Sequence, residues 1–225
     1  MWSFHLSDEQ HRSARAESLP VWVSVLCTET RLMRVDEMGS KGNGTNTTSE
    51  IRIGGVGGQG IVLAGRLLGI AAALFDGKEA VCTQSYGPEA RGGASRSDVI
   101  ISDQPVDYPY VIEADVLAVL FQEAYVRFHT RVKPGAMLII NSDLVQPLDD
   151  QENVHSIPAT QIADDLGNRM VANIVVLGYL VEKTGVVSRE SMEQAIRETM
   201  KQQHIDLDLK ALDAGISRAQ SDGSS

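Results

Sequence analysis

Residues 51–75 read IRIGGVGGQGIVLAGRLLGIAAALF, and this stretch decides the fold. A short apolar strand at 51–53 runs into a glycine cluster, and the cluster opens an apolar helix that continues to Phe75. The helix carries Arg66 and is shorter than the roughly 20 residues needed to cross a bilayer, so it is read as buried in protein. Further strands are expected at 80–84, 99–101, 116–121, 137–140 and 153–157. Between them, residues 122–132 space Tyr125, Phe128 and Val132 as a helix does, and Lys133-Pro134-Gly135 stops it. Residues 170–183 are mostly apolar, and Ser188 caps a last patterned segment with Met192, Ala195, Ile196 and Met200 on one face. Strands that are apolar runs, separated by helices, imply an α/β fold. The expected form is an open, three-layer, mainly parallel sheet with helices on both faces, Rossmann-like, with a helical C-terminal part.

The chain has 225 residues, 43% of them hydrophobic, which suits one well-buried core. Thirty acidic residues against twenty basic ones give a net charge of −10, which disfavours nucleic acid as a partner. Residues 1–38 are weakly patterned and lead into GSKGNGTNTTSE, too polar to order itself by burial. Residues 1–49 are therefore read as a flexible extension and linker, residues 50–205 as the α/β domain, and 206–225 as a C-terminal helix or tail. The segment LPVWVSVLC at 19–27 is preceded by Asp8, Glu9 and Glu17 and lacks a small-residue cleavage site, so it is not read as a signal. A cytoplasmic protein with no membrane partner is expected.

Within the cluster, Gly55, Gly57 and Gly60 form G-x-G-x-x-G between strand and helix. Glycine permits left-handed backbone and close approach, and the free N–H groups of the helix start suit an anion. A P-loop is excluded, because Ile61 and Val62 stand where a lysine and a hydroxyl residue would be needed. A dinucleotide site needs a carboxylate at the end of the second strand, where this chain has Thr83-Gln84-Ser85. Tight strand–helix packing alone, and a stand-alone nucleotide-binding module, remain open alternatives for the cluster. A second loop, QSYGPEARGGAS at 84–95, supplies Tyr86 for stacking, Glu89 and Arg91 for charge, and Gly92-Gly93 for close approach. Its plain reading is a surface loop with a local ion pair.

Together, G-x-G-G-Q-G and Q-S-Y-G-P-E-A-R-G-G resemble the gamma subunit of the 2-oxoacid:ferredoxin oxidoreductases. The resemblance continues through Asp107-Tyr108-Pro109, Lys133-Pro134-Gly135, Asn141-Ser142-Asp143 and NIVVLG at 173–178, and covers roughly residues 50 to 200. The SYGPEARGGAS loop with DYP downstream is most similar to the 2-oxoglutarate branch; the pyruvate and indolepyruvate enzymes are the near alternatives.

The resemblance implies an accessory subunit of an enzyme that oxidatively decarboxylates a 2-oxoacid with coenzyme A, giving an acyl-CoA and carbon dioxide and passing electrons to ferredoxin. It implies thiamine diphosphate and [4Fe-4S] clusters on alpha, beta and ferredoxin-like delta partner subunits. Cys27 and Cys82 are too few for a four-thiolate cluster, and the five histidines show no ligand spacing, so no metal is assigned to this chain. Catalytic residues stay unassigned. The expected contribution is part of a coenzyme A site or a subunit interface, formed by Gly55, Gly57, Gly58, Gln59, Gly60, Ser85, Tyr86, Glu89, Arg91, Gly92 and Gly93. Ferredoxin is expected to dock on another subunit, since it and this chain are both acidic.

Overall fold

A computed structural model of the chain describes residues 22–24, 47–85, 93–148 and 152–223. The apolar run at 51–53 is the centre of a longer strand, β2 (Thr48–Val56), which begins inside the polar stretch that was read as linker. A short strand, β1 (Trp22–Ser24), precedes it. Residues 1–21 and 25–46 lie outside the described residues.

After the glycine turn come α1 (Ile61–Ile70), a π-helical continuation (Ala71–Phe75), and two strands, β3 (Glu79–Ser85) and β4 (Ala94–Ser102). Next are β5 (Ala114–Val119), α2 (Gln122–Phe128), β6 (Val132–Asn141) and β7 (Val154–Ile157). Four helices close the chain: α3 (Ala159–Asp165), α4 (Ala172–Thr184), α5 (Arg189–Thr199) and α6 (Gln202–Ser221).

Among the described residues the sheet has seven strands in the order β1-β3-β4-β2-β5-β6-β7. The expected α/β class and the helices on both faces hold. Five of the seven strands share one direction, with β2, β5, β6 and β7 paired in parallel, while the β1–β3, β3–β4 and β4–β2 pairings are antiparallel. The reason is the connection at 86–93, too short for the dozen-residue crossover that parallel neighbours require, so β3 and β4 turn back on each other. The sheet is mixed.

Alternation along the strands builds two cores. Ile51, Ile53, Val99, Ile101, Val116 and Ala118 face α1, α4, α5 and α6. Leu117, Val119, Leu138 and Ile140 face α2 through Ala124, Tyr125 and Phe128. Each large aliphatic residue fully buried in this way stabilises the fold by roughly 1.5–3 kcal/mol.

α6 crosses the expected boundary at 205/206 and belongs to the main core, with Ala211, Leu212, Ile216 and Ala219 buried. Gly178 on α4 lies against the Leu212 carbonyl, and Gly215 on α6 against the Val175 carbonyl, so the two helices touch backbone to backbone. Residues 206–223 are therefore part of the domain rather than a tail. The helix expected at 122–132 ends at Phe128, and Lys133-Pro134-Gly135 lies in β6, where a bulge against β5 takes up the proline.

Candidate functional site

The chain leaves the C-terminal end of β2 along one face through α1, and later leaves the adjacent β5 along the other face through α2. Such a divergence opens a crevice at the carboxyl ends of the strands. The glycine turn sits there. It shapes a cleft of about 500 Å³ whose walls include Gly57, Gly58, Gly60, Val62, Arg66 and Ser95.

Gly57 and Gly58 are exposed, and a Cβ on either would meet nothing within 4 Å. Gly58 has φ 92° and Gly60 φ 69°, left-handed values that glycine adopts without strain. Gly60 is the N-cap of α1; among the described residues no side chain caps the helix, and no acidic residue stands in its first turn. The first-turn N–H groups are thus free for a guest, with the positive end of the helix dipole behind them.

Arg66 completes the cleft from the second turn of α1. It is exposed and, among the described residues, its side chain has no hydrogen bond or ion pair. The sequence reading treated Arg66 only as a charge interrupting an apolar run. Its position six residues after Gly60, on the open side of the helix, was the available signal. Uncapped N–H groups beside an unpaired guanidinium are suited to phosphate.

Other expected site residues serve the loop itself. The Val56 N–H donates to Gln59 Oε1 at 3.0 Å, Gln59 Nε2 donates to the Leu120 carbonyl, and the Gln59 N–H is used by the Val56 carbonyl at 3.2 Å. Gln59 thus holds the turn through its side-chain oxygen, its backbone N–H and one of its two Nε2 hydrogens. Gly55 is buried, and a Cβ there would stand 2.5 Å from Ile61 Cδ1 and 2.6 Å from Gln59 Oε1. Asn173, at the start of α4, donates from Nδ2 to the Gly60 carbonyl at 3.1 Å.

Ser85 ends β3 opposite Arg96, and Arg96 also lies opposite Gly54. Ser85 and the half-buried Gly93 are thereby brought to the same end of the sheet as the glycine turn. Tyr86, Glu89, Arg91 and Gly92 lie outside the described residues. Ser95 at the cleft wall is buried and donates to the Gly55 carbonyl at 3.3 Å.

The dinucleotide alternative loses its geometric basis. The strand beside β2 on the β3 side is antiparallel β4, and β3 ends in Thr83-Gln84-Ser85 without a carboxylate for a ribose. Cys82 is a core residue, its thiol pushed up to about 12 by burial. Among the described residues no three His, Cys, Asp or Glu side chains are grouped to hold a metal ion, and no helix is long and apolar enough to cross a membrane.

The family model for pyruvate ferredoxin/flavodoxin oxidoreductase matches residues 50–218. The chain belongs to this family. The 2-oxoglutarate synthase subunit KorC of Methanocaldococcus jannaschii is 52% identical over 155 residues, 67% of this chain and 83% of that protein. The gamma subunit of a keto/oxoacid ferredoxin oxidoreductase from Geobacter sulfurreducens superposes with a TM-score of 0.71 at 42% identity, over 78% of this chain and 98% of that one. A 2-oxoglutarate:ferredoxin oxidoreductase from Magnetococcus marinus, solved with 2-oxoglutarate, coenzyme A and succinyl-CoA bound, gives a TM-score of 0.70 at 24% identity. That likeness covers 77% of this chain and 31% of the other, and shows the shared fold alone. The family assignment agrees with the resemblance read from the two loops, and its span runs well into α6.

Proposed function

We propose that this chain is the gamma subunit of a 2-oxoglutarate:ferredoxin oxidoreductase and that its glycine cleft holds the phosphate-bearing part of coenzyme A. The observation that carries the reading is the start of α1, uncapped by any side chain among the described residues and set in a cleft of about 500 Å³ with Arg66, unpaired among those residues, on its wall. Coenzyme A is anionic, and these groups supply N–H donors and a guanidinium fork in one place. The similarity to KorC subunits supports 2-oxoglutarate as the oxoacid.

In this reading the complex converts 2-oxoglutarate and coenzyme A to succinyl-CoA and carbon dioxide, with electrons leaving to ferredoxin. Coenzyme A is the acyl acceptor, and this chain anchors its phosphates so that the thiol end reaches chemistry on other subunits. The residues present do not fit the redox cofactors: two cysteines in the whole sequence cannot supply four thiolates. Thiamine diphosphate and [4Fe-4S] clusters are accordingly assigned to alpha, beta and ferredoxin-like delta subunits, and ferredoxin docking to one of those. The site of action is the cytoplasm.

The test is anaerobic purification of the tagged chain from its native cell, mass spectrometry of what accompanies it, and assay with three oxoacids. Coenzyme A-dependent reduction of ferredoxin that is fastest with 2-oxoglutarate supports the reading. Preference for pyruvate or indolepyruvate moves the chain to a neighbouring branch, and recovery of the chain alone overturns the subunit assignment.

A further inference from the structure

The face of the sheet opposite α1 carries a concentration of arginines that is unexpected in a chain of net charge −10. The guanidinium carbons of Arg52, Arg96 and Arg127 lie 5.6, 6.0 and 5.8 Å from the centre of the Phe128 ring. Arg131 is tied to the same place: its N–H donates to the Phe128 carbonyl at 2.9 Å, and its own carbonyl accepts the Ala114 N–H at 3.1 Å. Among the described residues one carboxylate serves the group. Asp98 holds Arg52 through two bonds of 2.8 and 2.9 Å and reaches Arg96 only at 3.5 Å.

Arg127 and Arg131 are exposed and, among the described residues, form no ion pair. Asp107 and Glu113, on the neighbouring loop, form none with them. Arg96 is pushed below its ordinary value, first by burial and further by the charges of Arg52, Arg131 and Arg127, with Asp98 opposing. Arg52 Nη1 is fully buried and has no hydrogen-bond partner among the described residues. Four clustered cations beside one carboxylate repel each other, and an external anion would relieve that repulsion.

The loop at 103–113 borders the arginines, since its Val111 carbonyl accepts from Arg52 Nη2 at 2.6 Å. It leaves Ile112 69% and Tyr108 58% exposed, with Tyr110 packed edge-to-face on Tyr108 at 5.5 Å. Exposed tyrosine, isoleucine and arginine together have the composition of a protein interface centre rather than of a free-anion site, which has no use for the apolar half. A symmetric second copy would set the same arginines against one another.

We infer that the face formed by α2 and the 103–113 loop docks an acidic surface of a partner subunit, with Arg127 and Arg131 as its charged contacts and Tyr108, Tyr110 and Ile112 as its apolar ones. The inference rests on the subunit reading above. It concerns the face opposite α1, away from the α1 side of the coenzyme A cleft.

The test uses the tagged full chain purified with its partners. The wild-type chain and the R127K/R131K variant are expected to bring partner subunits down. R127E/R131E and, separately, I112D are expected to lose them about tenfold or more, while each variant alone keeps the wild-type circular dichroism and melting temperature. Wild-type recovery of partners by both R127E/R131E and I112D overturns the face while leaving the subunit reading intact. A wild-type chain that brings down no partner overturns the subunit reading, and the docking proposal with it.

Discussion

Asn173 and Gly60 are 113 residues apart and directly joined: Asn173 Nδ2 donates to the Gly60 carbonyl at 3.1 Å. The same amide occupies the space a Cβ on residue 60 would take. This contact locks the left-handed N-cap of α1 against the start of α4, and so aims the first-turn N–H groups into the cleft. Two consequences are measurable. G60A is expected to destabilise the chain, by ~1–2 kcal/mol for the left-handed backbone and ~1–3 kcal/mol for overpacking against Asn173. N173A is expected to cost about 1 kcal/mol for the lost hydrogen bond. The double variant should cost less than the sum, because the collision is removed. Urea unfolding of the three variants checks this; strict additivity would contradict it.

The Arg52–Asp98 pair is a second fixed point, buried between β2 and β4 at opposed positions. Removing one partner leaves a charge with no water to turn to, so D98A is expected to cost ~3–5 kcal/mol. Replacing both, as R52M/D98L, should recover most of that loss. Thermal melts decide it: a D98A variant as stable as wild type would mean the pair is hydrated or dispensable.

Asp208, on α6, is buried with Oδ2 unpartnered among the described residues. Burial pushes its carboxyl above the ordinary range, with the charge of His204 opposing. A raised folded-state value means the folded chain keeps the proton longer than the unfolded one. This group therefore favours folding most at low pH, and the benefit is lost as pH rises from the unfolded value of about 3.9 through the folded one. D208N removes the charge, so its melting temperature is expected to exceed wild type near neutral pH, with the gap closing toward about pH 4. A gap independent of pH would show that the carboxyl is not the cause.

Sequence patterning located the centres of β2, β3, β4, β5 and β6, where burial makes the run apolar, together with β7, α1, α2, the Ser188-capped α5, and α4, whose residues 173–181 are all buried. Strand ends were underestimated where buried polar groups interrupt the run. β4 extends from Ala94 because Ser95, Ser97 and Asp98 are buried through pairing and close helix packing, which composition cannot reveal. Strand direction was missed at β4 for the same reason, since an apolar run has no polarity signal and only the short 86–93 connection settles it. α6 looked peripheral because its core stripe of Ile205, Leu212 and Ile216 is interspersed with buried Asp208 and with Ala211, Gly215 and Ala219, small residues whose value lies in letting α4 approach. At the site, the glycines were legible from spacing. Arg66 was not, because its significance depends on which side of α1 faces the cleft, and the hold of the Gln59 side chain on the loop runs through Val56 and Leu120, contacts that spacing does not show.

The most direct measurement is the coenzyme A dependence of the assembled enzyme carrying R66A. Arg66 is exposed and, among the described residues, unpaired, so its truncation should leave assembly and melting temperature unchanged. Loss of a charge-assisted contact to phosphate, worth ~1.5–3 kcal/mol, is expected to weaken coenzyme A binding roughly 10- to 100-fold, with R66K recovering part of it and the KM for 2-oxoglutarate unmoved. An intact R66A complex with wild-type affinity for coenzyme A would contradict the assignment of the glycine cleft to that ligand.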